Sequence, residues 1–173
     1  MVEFDTVMGT VLLELYDEAA PTTVANFLNY LGRGDYSMSM IHRSVPNFVV
    51  QGGGYWYPSW DSVPEDAPIP NEPGISNTRG TIAMARMPGD PDSATSQWFI
   101  NVADNVFLDT QDGGFTVFGH VIEGMDVLEA INALPTYDFY GALSELPLRD
   151  YTGYPDEIPD DDNVVYFMGV SVI

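Results

Sequence analysis

Only two stretches of this chain carry helical periodicity. Every other apolar stretch comes in a short run broken by glycine or proline. That pattern confines the chain to a β-rich fold with helices at its margins. Phe4 to Tyr16 reads as a hairpin, with Val11, Leu13 and Leu15 alternating after a Met8-Gly9 turn. Pro21 opens a helix, as proline suits the first helical turn, with Val24, Phe27, Leu28 and Leu31 on one face and Gly32 and Gly34 ending it. Further strands are predicted near 38–43 and 47–51, over Thr81–Ala85, Gln97–Val102 and Phe115–Ile122, and from Val164 to Ile173. A second helix starts near Gly124, with Val127, Ala130, Ile131 and Leu134 on one face. The expected fold is mainly β: a closed, antiparallel, eight-stranded barrel capped by two α-helices.

Residues 1–173 read as one domain, long enough to bury roughly 70% of its extended surface without disulfides or a metal. Residues 54–77 form a loop rich in proline, glycine and aromatics, and 135–163 an extended acidic loop. The latter carries Tyr137, Phe139, Tyr140, Leu143, Leu146, Leu148, Tyr151 and Tyr154, too apolar a set for a disordered linker. It is expected to be ordered against the barrel, with Asp160-Asp161-Asp162 in solvent.

Composition removes several classes of function. The chain has no cysteine, which excludes disulfides, thiolate nucleophiles and cysteine zinc sites. It has 26 acidic residues against five basic ones, all arginine, for a net charge of −21. Such a charge repels phosphate backbones and anionic membranes, so neither nucleic acid nor membrane is an expected partner. No apolar run approaches the roughly 20 residues of a membrane span. Met1 is followed almost at once by a strand-like stretch, so no signal peptide is read, although one removed earlier would leave the same start. An extracytoplasmic (periplasmic) location after signal removal is favoured. The cytoplasm of a salt-adapted organism is the alternative, since an acidic surface serves solubility or high salt equally well.

Residues 41–54, Ile-His-Arg-Ser-Val-Pro-Asn-Phe-Val-Val-Gln-Gly-Gly-Gly, carry the chemistry. Two short strands joined by Pro46-Asn47 would bring Arg43, Phe48 and Gln51 into one patch. There a planar, permanently charged donor stands beside an apolar ring with no nucleophile at hand. That suits a reaction that breaks no bond, such as rotation about a peptide bond. Taken alone, Arg43 reads as a surface ion-pair residue and the phenylalanines as core. Ser44 near His42 lacks the Gly-x-Ser-x-Gly setting of a hydrolase, and His42 reads as a buried histidine. Gly52-Gly53-Gly54 lacks the lysine of a phosphate loop and reads as a positive-φ turn. Neither Asp90/Asp92 nor Asp160–Asp162 follows an EF-hand pattern. His42 and His120 lack metal-ligand spacing, so no metal is expected.

The stretch resembles the signature segment of cyclophilins, the peptidyl-prolyl cis–trans isomerases, and further blocks follow in the family's order. They are Thr6-x-x-Gly9 with Glu14-Leu15-Tyr16, Ala20-Pro21-x-Thr23-Val24-x-Asn26-Phe27, Arg79 to Arg86, Ser93 to Val102, Phe107-Leu108-Asp109, Val117-Phe118-Gly119 and Glu123 to Val127. The resemblance implies a cofactor-free isomerase, expected to be monomeric, acting on X–Pro bonds of proline-containing polypeptides and assisting folding. The alternatives are a proline-peptide binding module without turnover, or a folding helper binding chains through 54–77 and 135–163. It implies a catalytic role for Arg43, with Phe48 and Gln51 beside it. Val49, Phe99 and Leu108 would line the proline pocket, Phe107 and Phe115 would complete its wall, and Ala85, Arg86 and Gln97 would border the groove for preceding residues. Phe107 stands where the family's tryptophan binds cyclosporin, so only weak binding of that drug is expected. The resemblance assigns no role to 135–163.

Overall fold

The computed structural model describes all residues, Met1–Ile173. Ten strands and two helices follow in chain order: β1 Val2–Thr6, β2 Gly9–Leu15, α1 Pro21–Arg33, β3 Arg43–Val45, β4 Val49–Gly52, β5 Thr81–Met84, β6 Trp98–Asn101, β7 Val117–Glu123, α2 Met125–Asn132, β8 Thr136–Tyr137, β9 Leu146–Pro147 and β10 Phe167–Val172. Eight of the strands form one antiparallel sheet in the order β10-β1-β2-β7-β5-β6-β4-β3, and β8 pairs with β9 apart from it.

The expected closed barrel is corrected to an open half-barrel capped by the two helices, because β10 and β3 stand at opposite ends of the sheet and share no ladder. The strand expected near 38–43 is the reason. Met38 takes a left-handed conformation (φ 60°), which a strand cannot continue through. Residues 38–41 meet Phe167 and the run before it through the Met40–Tyr166 bridge, the Met38 N–H donated to Phe167 O, the Phe167 N–H donated to Ser39 O and the Ile41 N–H donated to Val165 O, too short a run to make a ladder. β3 then begins at Arg43, and its Ser44 N–H donates to the carbonyl of Glu145 rather than to β10.

The main core contains Phe4, Phe27, Tyr30, Tyr36, Trp98, Phe118 and Phe167 and lies between the sheet and the helices. α1 begins with Pro21 and ends at Gly34, whose left-handed backbone (φ 82°) donates to Leu31 O and Tyr30 O; Gly32 lies inside the helix. Its buried face is Thr23, Val24, Phe27 and Tyr30, whereas Leu28 reaches solvent. Along α2 the buried set is Leu128, Ile131 and Asn132, with Ala130 exposed.

The 135–163 segment is ordered. Leu146, Leu148 and Tyr151 bury themselves with Met40, Tyr57 and Val164 in a second cluster. Asp160, Asp161 and Asp162 are exposed, although Asp161 accepts a hydrogen bond from the Tyr57 hydroxyl.

Candidate active site

The site begins with the β3–β4 hairpin. Arg43 and Gln51 are register partners in this pair, so their side chains leave the same face. The turn between them needs Asn47 in the left-handed region (φ 56°), which asparagine tolerates better than most residues. Buried Asn132 of α2 holds this turn. Its Oδ1 accepts the Asn47 N–H at 2.9 Å, and its Nδ2 donates to Ser44 Oγ at 3.0 Å and Val45 O at 2.9 Å. Sequence reasoning missed Asn132, yet a signal existed: an amide interrupting the apolar face of a helix has to find partners.

β4 pairs with β6, placing Gln51 opposite Phe99, and Val49 and Phe99 join Ala83, Leu108 and Val117 in a small buried cluster. Half-buried Phe48, Ala85 and Phe115 pack against it. The result is a cleft of about 330 Å³ lined by Arg43, Phe48, Val49, Gln51, Ala85, Arg86, Phe99, Phe107, Leu108 and Phe115, with Pro88 and Gln111. The structure thus gathers ten of the eleven residues singled out in the sequence. The eleventh, Gln97, borders an adjoining pocket with Gln51, Ala85 and Arg86, and its Oε1 accepts a hydrogen bond from Gln51 Nε2 at 2.9 Å. A Cβ at Gly54 would lie 2.8 Å from the Gln97 side chain, so glycine there makes room for it. Gly53 takes φ 78°, as expected of a turn.

Each wall has its own support. Leu108 sits on a short 3₁₀ turn, Val106–Asp109. The Asp109 carboxylate accepts the Asn77 N–H at 2.7 Å and bonds the Ser76 hydroxyl. Burial pushes the Asp109 carboxyl up, but these hydrogen bonds outweigh it and hold it below the ordinary value. Buried Asn105 donates to Phe48 O at 2.9 Å. Phe107 stacks on Phe48, centroids 5.7 Å apart, and keeps 54% of its surface exposed. The Arg86 guanidinium lies 4.1 Å over the Phe115 ring and donates to the carbonyls of Gln111, Asp112 and Gly114, tying that loop to the wall.

Arg43 is about one-third exposed. Its Nη1 donates to Gln51 Oε1 at 3.2 Å, and its Nε donates to Glu145 Oε2 at 2.7 Å. Glu145, in the segment to which the sequence assigned no role, was also missed. No local pattern links positions 102 residues apart. His42, next in chain, is buried, and that burial, aided by the Arg43 charge, lowers its pKa to about 4. It stays neutral near pH 7 and is no proton donor there. No group of three or more His, Cys, Asp or Glu residues is arranged to hold a metal ion, and no helix is long and apolar enough to cross a membrane. The chemistry open to this cleft is binding of a compact apolar group beside a fixed cationic donor.

Comparison with known proteins agrees with this geometry. The family model for "Cyclophilin type peptidyl-prolyl cis-trans isomerase/CLD" matches residues 1–151. The chain is 49% identical over 140 residues to the peptidyl-prolyl cis-trans isomerase of Acinetobacter baylyi, spanning 79% of this chain and 73% of that protein. It is 43% identical over 143 residues to peptidyl-prolyl cis-trans isomerase B of Escherichia coli, spanning 79% and 86%. A cyclophilin-type isomerase of Cryptosporidium parvum, crystallised in the presence of the dipeptide Ala-Pro, superposes with a TM-score of 0.74 over 99% of this chain and 98% of that one. At 21% identity this likeness concerns the fold.

Proposed function

The chain belongs to the cyclophilin-type peptidyl-prolyl cis–trans isomerases, and on that premise we propose that its cleft binds X–Pro segments of other polypeptides and speeds rotation about the bond. An X–Pro bond is held planar by amide resonance, with a barrier of about 18–20 kcal/mol, and turns over unaided in tens to hundreds of seconds. Twisting the bond localises the lone pair on the prolyl nitrogen. A donor aimed at that nitrogen binds the twisted amide better than the planar one, and only such differential binding lowers a barrier. A charge-assisted hydrogen bond is worth about 1.5–3 kcal/mol, and tenfold in rate needs about 1.4 kcal/mol. Arg43 therefore accounts for about a hundredfold. The walls formed by Phe48, Val49, Phe99, Leu108 and Phe115 supply the rest, holding the proline ring and excluding water while the preceding carbonyl swings.

The observation that carries this reading is the juxtaposition of Arg43, anchored on Gln51, with an apolar cleft the size of a proline ring and its neighbours. A coupled-protease assay on a proline tetrapeptide, with the wild type and Arg43→Ala, tests it. Turnover that depends on Arg43 supports the isomerase. Tight peptide binding without turnover points to a proline-peptide module instead. Cyclosporin is a weak ligand under this reading, because Phe107 offers an exposed ring but no N–H donor.

A further inference from the structure

Glu145 lies outside the cleft lining, yet its carboxylate reaches the one side chain on which the proposed reaction depends. Its backbone is held in two ways. The Glu145 carbonyl accepts the Ser44 N–H at 2.9 Å, next to Arg43 on the edge strand. Leu146, the following residue, is wholly buried. A loop tip free to wander would make such a contact only in passing; here the backbone on both sides of the contact is fixed.

The edge of the guanidinium that Glu145 takes is informative. Arginine has five N–H donors in a rigid plane. Glu145 accepts from Nε, and Gln51 accepts from Nη1. The remaining three belong to the fork at the end of the side chain. A carboxylate on Nε and an amide on Nη1 fix the tilt of the plane and the rotation of a long, flexible side chain, while leaving the other three N–H groups of the fork to a substrate. Gln51 is itself held by Gln97. The polar line Glu145–Arg43–Gln51–Gln97 therefore crosses the rim of the cleft, with the arginine clamped between two acceptors. As a stabilising device the pair is weak, because both side chains are more than one-third exposed or close to it, and such ion pairs add little to folding. Its effect falls on orientation.

We propose that Glu145 is a positioning residue that clamps Arg43 in its working orientation and so makes the 135–163 segment part of the active site. This rests on the isomerase reading above. Placing a donor ahead of time favours the twisted amide more than the planar one, so the clamp acts on kcat and leaves substrate affinity alone.

The test measures kcat and substrate Kd by exchange NMR on a proline peptide, with melting curves, for Glu145→Ala, Glu145→Gln, Arg43→Ala and the Glu145→Ala/Arg43→Ala pair. Glu145→Ala should lower kcat roughly two- to fivefold, the size of an exposed ion-pair contribution, with Kd and Tm unchanged. Glu145→Gln keeps an acceptor for Nε and should recover most of the loss. In the Arg43→Ala background, Glu145→Ala should have no further effect. An unchanged or raised kcat in Glu145→Ala overturns the proposal, and a raised one would show a carboxylate that competes with substrate. A loss that persists without Arg43, or that accompanies a lower Tm, overturns it as well. If Arg43→Ala alone turns over normally, the isomerase mechanism itself has failed, and that variant shows so independently.

Discussion

In the cleft, aromatic rings stand on paired strands or on turns bonded to them: Phe99 on β6 is opposite Gln51, and Phe115 meets it edge-on at 5.8 Å. In the 135–163 segment, rings stand on one another instead. Tyr137 meets Tyr151 edge-on at 5.1 Å, and Phe139 meets Tyr154 at 5.6 Å, over a pair of two-residue strands. The first arrangement takes its geometry from backbone ladders, so it can leave Phe107 exposed and Phe115 partly uncovered as a binding surface without losing shape. The second has almost no ladder and depends on its own buried cluster of Leu146, Leu148 and Tyr151 with Met40, Tyr57 and Val164. It also holds eight acidic residues against one arginine. Similar residue types thus serve recognition where the backbone provides rigidity, and serve cohesion where it does not.

Removing that cohesion should have the largest effect. Leu148 is wholly buried, so Leu148→Ala should cost about 2–5 kcal/mol, and each kcal/mol lowers Tm by about 2–4 °C at this chain length. The folded fraction should lose no more isomerase activity than the roughly two- to fivefold that removal of Glu145 would cost. Complete loss of activity in protein still folded by circular dichroism would mean that the two regions are not separable in this way.

The reciprocal change is Arg43→Ala, expected to cut kcat/KM by about 10²-fold, near 2.7 kcal/mol, with little change in Tm. Arg43→Lys should not restore activity, because a point charge lacks the planar fork. Near-wild-type turnover in the alanine variant would break the comparison from the other side.

A smaller effect should separate the regions by pH. Asp109 holds the turn that carries Leu108, and its carboxyl is lowered in the folded state. A lowered folded pKa contributes stability above the unfolded value of about 3.9, and that stability is lost as pH falls through the lower folded value. Asp109→Asn should lower Tm at pH 7, and the gap from wild type should close as pH falls below the unfolded value and through the lowered folded one. A gap that stays constant with pH would show that the carboxylate charge does not support the cleft wall.

Salt should give the smallest and most widespread change. With 26 acidic and five basic side chains, most carboxylates lack a cationic partner. The Debye length falls from about 10 Å at 0.1 M to about 3 Å at 1 M. Tm should rise over that range, equally in NaCl and KCl, and amide exchange should slow more in 135–163 than in the main sheet. A flat or falling Tm would assign the acidic surface to solubility alone.

Much of this was legible beforehand for a local reason. Two short strands joined at Pro46-Asn47 put Arg43 and Gln51 on one face, because facing positions of a hairpin point the same way. The eight large apolar residues of 135–163 likewise called for burial, which Leu146, Leu148 and Tyr151 found while Tyr140 and Tyr154 stay exposed. Helix faces were read less well: Leu28 and Ala130 match the period but point outward, because amphipathic spacing defines a stripe and only the neighbouring sheet decides where the stripe ends.

By itself, the sequence determined both helices and most strands of the main sheet, the patch of Arg43, Phe48 and Gln51, and the lack of any thiol, through local periodicity and side-chain types; the other cleft residues came from the resemblance to the cyclophilins. The tertiary structure decided that the sheet stays open, since closure depends on whether 38–43 and the last strand run in step over several residues, and here they share a single bridge, Met40–Tyr166, while β3 bonds to Glu145 instead. It also decided that Asn132 staples the β3–β4 hairpin and that Glu145 meets Arg43. Those contacts join positions 85 and 102 residues apart, and a meeting at such separation is written in no local pattern, only in how the packed elements bring two chain ends of a hydrogen bond to the same place.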